Sequence, residues 1–247
     1  MLSLSTLKAD HTPHAVSRRL GRRPSPSYLH DFIYGAVDGA VTTFAVVAGV
    51  AGAGLDETVV IVLGGANLFA DGFSMAASNF LGSRAERQRR ERARQEEEHH
   101  IDLVPDGERE EIRQIYAAKG FSGADLDRIV EVITSDRELW VETMMSEELG
   151  FGTTEPNEYR AALSTLAAFI TIGFLPLLAY VYGLFAEVTR PFLWSTVLTG
   201  LAFLVIGGMK ARFTGQNRWR AALETLAVGG LAAVLAYITG TVLEGVT

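Results

Sequence analysis

The sequence predicts an all-α polytopic membrane protein with five transmembrane helices and a water-exposed, three-helix insert between the second and third. Three observations carry this. First, 48% of the 247 residues are hydrophobic and the mean hydropathy is +0.19, an excess of apolar surface that needs lipid to cover it. Second, charge is segregated: residues 83–158 hold 20 of the 29 acidic and 11 of the 22 basic residues, a net charge of −9. A charged middle between nearly uncharged flanks is the pattern of a membrane protein with a hydrophilic insert. Third, five stretches reach the roughly 20 apolar residues that a helix needs to cross about 30 Å of hydrocarbon.

The elements follow in order. Residues 1–30 carry Arg18, Arg19, Arg22 and Arg23 with no signal-peptide-length apolar run after them, and read as a mobile cytosolic tail. The first two spans occupy residues 31–82, approximately 31–53 and 58–81. The insert covers 83–158. Its first helix continues the second span through SRAERQRRERARQEEEHH, with no breaker before Pro105. A second starts after Pro105 with Asp106 as N-cap and ends before Gly120. A third runs from Ala124 to about Gly150, headed by Ser122 and Asp125 at capping-box-like spacing. Gly150, Gly152 and Pro156 break the chain before residues 159–247, which hold three spans at about 161–186, 192–209 and 221–243. The fourth span is the shortest, and Pro176 is expected to kink the third.

Orientation follows from lysine and arginine. The N-terminal tail, the run from Arg84 to Arg94, and Lys210, Arg212, Arg218 and Arg220 are basic, whereas the opposite connections contain only Arg190. Five crossings put all basic segments on one side. The N-terminus and insert are then cytosolic and the C-terminus is outside or lumenal, in a bacterial inner membrane or a vacuole-type membrane.

The chemistry concentrates in QEEEHHIDLVPDGEREE. On a helix, Glu97 and His100 share a face, as do Glu108 and Glu111, and Met144 and Met145 lie four and three residues before Glu148. Carboxylates and imidazole suit ferrous iron, manganese, cobalt or zinc, and thioether disfavours magnesium and calcium. With no cysteine, thiolate sites are excluded. The ordinary alternative is a solvated acidic face balanced by Arg92, Arg94, Arg109 and Arg113, with the methionines as core packing. Within the spans, Asp38 in YGAVDGAVTTF and Asp71 in NLFADGFSMAAS are ionisable groups at membrane depth, where such groups mark ion or proton paths. Met75 follows Asp71 by one turn. Gly35 and Gly39 form a GxxxG pair around Asp38 that permits close helix packing.

DFIYGAVDGAVTTFAVVAG, ADGFSMAASNFLGSRAE, the EEE run before Pro-Asp, and MMSEE together resemble the vacuolar iron transporter family, over almost the whole chain from about Asp31. The resemblance implies a dimeric five-helix transporter that moves ferrous iron out of the cytosol in exchange for protons. It places the pore pair on Asp38 and Met75, the cytosolic metal ligands on Glu97, Glu108, Glu111, Met144, Met145 and Glu148, and Asp31 near the cytosolic mouth. Two positions depart. His100 stands where plant members carry glutamate, and Asn67 replaces an intramembrane glutamate, with Asp71 four residues later as a stand-in.

The leading expectation is thus a metal transporter, not an enzyme, with lipid, a second copy, divalent ions and protons as partners and no catalytic cofactor. Nucleic acid is excluded by the acidic insert. The rival is a membrane-tethered di-iron ferroxidase, because Glu96-x-x-His99 and Glu97-x-x-His100 fit the Glu-x-x-His spacing of such sites. Both matches lie on one helix about 100° apart, and no later histidine exists to supply a second motif. A metal sensor without transport leaves Asp38 unexplained.

Overall fold

The computed structural model describes residues 4–21, 27–152, 154 and 156–246. Every regular element among them is helical: α1 (Leu4–Asp10), α2 (Pro13–Leu20), α3 (Leu29–Gly52), α4 (Glu57–Leu103), α5 (Pro105–Ala118), α6 (Gly123–Thr134), α7 (Arg137–Glu147), α8 (Glu158–Gly173), α9 (Leu178–Gly183), α10 (Pro191–Thr214) and α11 (Arg218–Glu244). Five helical segments are long and apolar enough to cross a membrane: α3, α4, α8 with α9, α10 and α11. The chain divides into two compact units, one of residues 27–84 and 156–247 and the other of 1–26 and 85–155.

In the first unit α3 is the hub, packed against α8, α10 and α11. Its glycines permit this. A Cβ on Gly39 would lie 2.5 Å from the Phe169 carbonyl oxygen, and one on Gly35 would overlap the Thr165 carbonyl. The GxxxG pair therefore brings α3 and α8 backbone to backbone. Phe44, Val47, Val60, Leu68, Phe169, Leu177 and Tyr180 fill the core beside it. The apolar part of α4 leaves Val62, Leu63, Phe69, Phe73 and Leu81 exposed. Pro176 interrupts the third span as expected, through a 3₁₀ turn at Leu175–Leu177 between α8 and α9. The fourth span shares the shortest length with the first: α10 and α3 have 24 residues each.

In the second unit the predicted tail is helical in its described part. Thr12 Oγ1 accepts from Ala15 N (3.4 Å) to cap α2, and Pro13 takes its first position. Arg22 and Arg23 lie outside the described residues. α4 runs unbroken to Leu103, as read from the sequence, but the expected three-helix insert has a fourth member. The stretch taken as one helix from Ala124 divides at Ser135–Asp136. Asp136 Oδ1 accepts from Glu138 N (2.9 Å) and Leu139 N (3.2 Å), and this capping starts α7 afresh. Two expected caps differ. Pro105 is itself the first residue of α5, so Val104 holds the cap position and Asp106 pairs with Arg109 instead. Ser122 does precede α6, yet its side chain makes no capping bond. Ile101, Ile112, Val130, Trp140, Val141, Met144 and Met145 form the apolar core.

Candidate metal centre and membrane path

The acidic cluster is assembled from the ends of three helices. Near the end of α4, Glu97 is buried while its chain neighbour Glu96 is exposed and Glu98 is half-buried. At the start of α5, Glu108 is buried, with Glu111 one turn on, and Glu148 follows the last turn of α7. One ligand atom each from Glu97, His100 and Glu108 lie within 4.8 Å of one another, and His100 Nδ1 is 3.6 Å from Glu108 Oε1. Glu97 and Glu108 are only 5% and 4% exposed. Each keeps one carboxylate oxygen, Oε2, fully buried with no hydrogen-bond partner among the described residues. A buried anionic oxygen left so is costly, and a cation would satisfy both.

Electrostatics agree with the geometry. Burial, then the Glu148 and Glu108 carboxylates, push Glu97 up to about 7 against the opposing pull of His100. Burial and Glu111 raise Glu108, and burial and Glu111 raise Glu148, each again partly offset by His100. Five of the predicted ligands, Glu97, His100, Glu108, Glu111 and Glu148, therefore belong to one charge cluster. Met144 and Met145 sit in the apolar core of the same unit, and the Met144 carbonyl accepts from Glu148 N (3.0 Å).

The solvated-face reading separates residue by residue. Arg92 pairs with Glu96 (2.9 Å), Arg94 with Glu98 (3.0 Å) and Glu138 (2.5 Å), Arg109 with Asp106 (2.9 Å) and Arg113 with Asp127 (2.6 Å). The four arginines expected to neutralise the cluster thus serve its neighbours, and none of the four pairs with Glu97 or Glu108. The same pairing weakens the di-iron reading. Glu96 and His99 are exposed, and of the two Glu-x-x-His matches it is Glu97/His100 that enters the cluster.

In the membrane-spanning unit Asp38 is half-buried on α3, and Asp71 of α4 is near enough to act on it electrostatically. Thr42 Oγ1 donates to the Asp38 carbonyl (2.9 Å). Met75 is half-buried against the core that includes Leu68 and Phe169. Asn67, the position that departs from the family pattern, keeps a buried Nδ2 without a partner among the described residues. Asp31 does not stand free at the start of α3: Asn79 Nδ2 donates to its Oδ1 (2.9 Å) and to Thr165 Oγ1 (2.7 Å). Asn79 and Thr165 were missed from sequence. They lie 48 and 86 residues from their partners, and an Asn or Thr in an apolar span carries no signal of what it will meet.

Known proteins are similar to this chain in sequence. A family model described as the VIT family matches residues 29–241. The vacuolar iron transporter of Toxoplasma gondii is 35% identical over 228 residues, covering 89% of this chain and 76% of that protein. That of Plasmodium falciparum is 34% identical, covering 87% and 82%. Vacuolar iron transporter 2 of Oryza sativa subsp. japonica is 33% identical, covering 85% of each. With the family model matching most of its length and relatives at 33–35% identity, the chain belongs to the VIT family.

Proposed function

We propose that the protein carries ferrous iron out of the cytosol across the membrane that holds it, in exchange for protons. The relatives' names supply the iron. The observation that carries the reading in this chain is the pair of buried, unpartnered carboxylate oxygens on Glu97 and Glu108 beside His100. On this reading Glu97, His100, Glu108, Glu111 and Glu148 collect the metal, with Met144 and Met145 offering sulfur from the core behind them. An oxygen and imidazole set backed by thioether accepts manganese, cobalt and zinc as well as iron, and disfavours magnesium and calcium. The pore follows Asp31, Asp38, Asp71 and Met75, with protonation of a pore carboxylate from the acidic side helping release. The exposed apolar face of α4, with Phe69 and Phe73 beside the exposed Asp71, is the surface on which a second copy would complete that pore. The basic ends of the spans favour an N-terminus and an acidic cluster in the cytosol and a C-terminus across the membrane; a vacuole-type membrane is the setting the relatives suggest.

The test is ferrous iron uptake into proteoliposomes under an imposed pH gradient. Gradient-dependent uptake that vanishes in Asp38→Ala and weakens in Glu108→Ala/Glu111→Ala is expected. Wild-type protein that moves no iron and instead oxidises it would overturn transport in favour of the tethered ferroxidase.

A further inference from the structure

Two helices of the membrane-spanning unit carry polar groups at matching intervals. On α3, Asp31 and Asp38 are seven residues apart, two turns and about 10 Å along one face. On α4, Asn67, Asp71, Met75, Asn79 and Ser83 recur every fourth residue, a stripe that winds by about 40° per step. Asn79 of α4 binds Asp31 of α3, and two turns back along α4 Asp71 lies within electrostatic reach of Asp38, two turns on along α3. That order is what antiparallel neighbours require.

Asn79 is fully committed at this point. Its Nδ2 donates to Asp31 Oδ1 (2.9 Å) and to Thr165 Oγ1 (2.7 Å) of α8, and its Oδ1 accepts from Ser83 Oγ (3.2 Å). Thr165 is fully buried and donates to the Ala161 carbonyl (3.1 Å). Just beyond it, Gly35 lets the α3 backbone close onto the Thr165 carbonyl. One amide thus ties three helices together and engages one oxygen of the Asp31 carboxylate. A hydrogen bond donated to a carboxylate in a low-dielectric setting fixes the orientation of the acid as well as adding energy.

We infer that Asn79 is a positioning residue of the transport path, holding the Asp31 carboxylate in line with Asp38 so that an incoming cation meets a preset first oxygen on α3. The inference rests on the transport reading and adds to it the residue that aims the entrance. An asparagine suits this task because it donates without adding charge. An aspartate there would repel Asp31, and a lysine or arginine would compete with the cation.

The experiment is the concentration dependence of ferrous iron uptake in proteoliposomes for wild type, Asn79→Ala, Asn79→Asp, Asp31→Ala and Asp31→Ala/Asn79→Ala, with thermal unfolding of each in detergent. Loss of one hydrogen bond to a charged group predicts that Asn79→Ala raises the apparent KM by about ten- to a hundredfold with Vmax nearly unchanged. Asn79→Asp, of the same shape but with the donor replaced by a carboxylate, is expected to do at least as much. Once Asp31 is gone, removing Asn79 adds nothing to KM. A wild-type KM in both Asn79 variants overturns the inference, as does an Asn79→Ala effect that is undiminished in the Asp31→Ala background. A lowered unfolding temperature with unchanged KM overturns it in favour of a purely structural clamp. Wild type that moves no iron removes the transport reading and this role with it, a result distinct from all the others.

Discussion

In the membrane-spanning unit the helices meet through what their side chains lack. In the polar unit they meet through what their side chains supply. Gly35 and Gly39 bring α3 against the backbone of α8, because a surrounding of lipid tails gives large apolar side chains no reason to cluster and leaves close packing as the main attraction. Ile112, Trp140, Val141 and Met144 instead exclude water from the core of the polar unit, where burial itself is the driving force. The carboxylates differ in the same sense. Glu97, Glu108, Glu111 and Glu148 are pooled, with two oxygens left without partners. Asp31 and Asp38 are two turns apart, and Asp31 is hydrogen-bonded. Pooling favours capture of a cation and spacing favours its passage, which is the division of labour expected of a loading site and a path.

Ile112→Ala should break the packing half of this comparison with the largest effect. Ile112 is fully buried, and the cavity left by such a truncation costs about 2–5 kcal/mol. Hydrogen exchange should accelerate across α5 and α7 while α3 and α8 remain protected. Gly39→Ala is the counterpart in the membrane. Adding a single carbon 2.5 Å from the Phe169 carbonyl oxygen forces a backbone shift costing about 1–3 kcal/mol, seen as earlier thermal unfolding in detergent with loosened α3 and α8. An unchanged unfolding temperature in Gly39→Ala would mean that α3 and α8 do not meet as described.

The carboxylate half is sharpened by Glu97→Gln, studied with chelator present. The Glu97 carboxyl is raised from 4.5 to about 7 in the folded protein, so the folded state holds this proton more tightly than the unfolded chain. The associated stability is fully present below about pH 4.5 and is lost as pH rises through about 7. Glutamine resembles the protonated acid, so the variant should gain on the order of 1–3 kcal/mol over wild type at pH 8 and little at pH 5. Added ferrous or manganous ion should reverse the order by stabilising wild type. Equal pH profiles for the two proteins would show that the cluster is not strained as its burial implies.

How much of this was legible beforehand depended on whether the information was local. Span length is a property of one segment, so all five spans and the run of α4 from Glu57 to Leu103 could be read directly. The one-face pairs Glu97/His100 and Glu108/Glu111 are also local, and they do meet in the cluster. Two of the arginine pairings were not legible, because Arg94 reaches Glu138 and Arg113 reaches Asp127 across separate helices. The Asp31–Asn79–Thr165 clamp was hidden for the same reason.

The division of the predicted third insert helix into α6 and α7 is a different kind of miss, since its signal was local and present. Thr134, Ser135 and Asp136 are consecutive residues whose side chains compete with the helical backbone for hydrogen bonds. Asp136→Ala is the smallest perturbation that tests the point. It removes the acceptor for the Glu138 and Leu139 amides, and loss of such a cap costs about 1 kcal/mol. If Asp136 alone starts α7, exchange at those two amides should speed up while Trp140 and Val141, held in the core, stay protected. If the core dictates the break instead, the two amides should exchange as in wild type. The same variant also asks how firmly Glu148 is presented, because α7 is the helix that carries it to the cluster: a frayed start with unchanged metal affinity would show that the last turn of α7 is fixed by Met144 and Met145 in the core rather than by the cap.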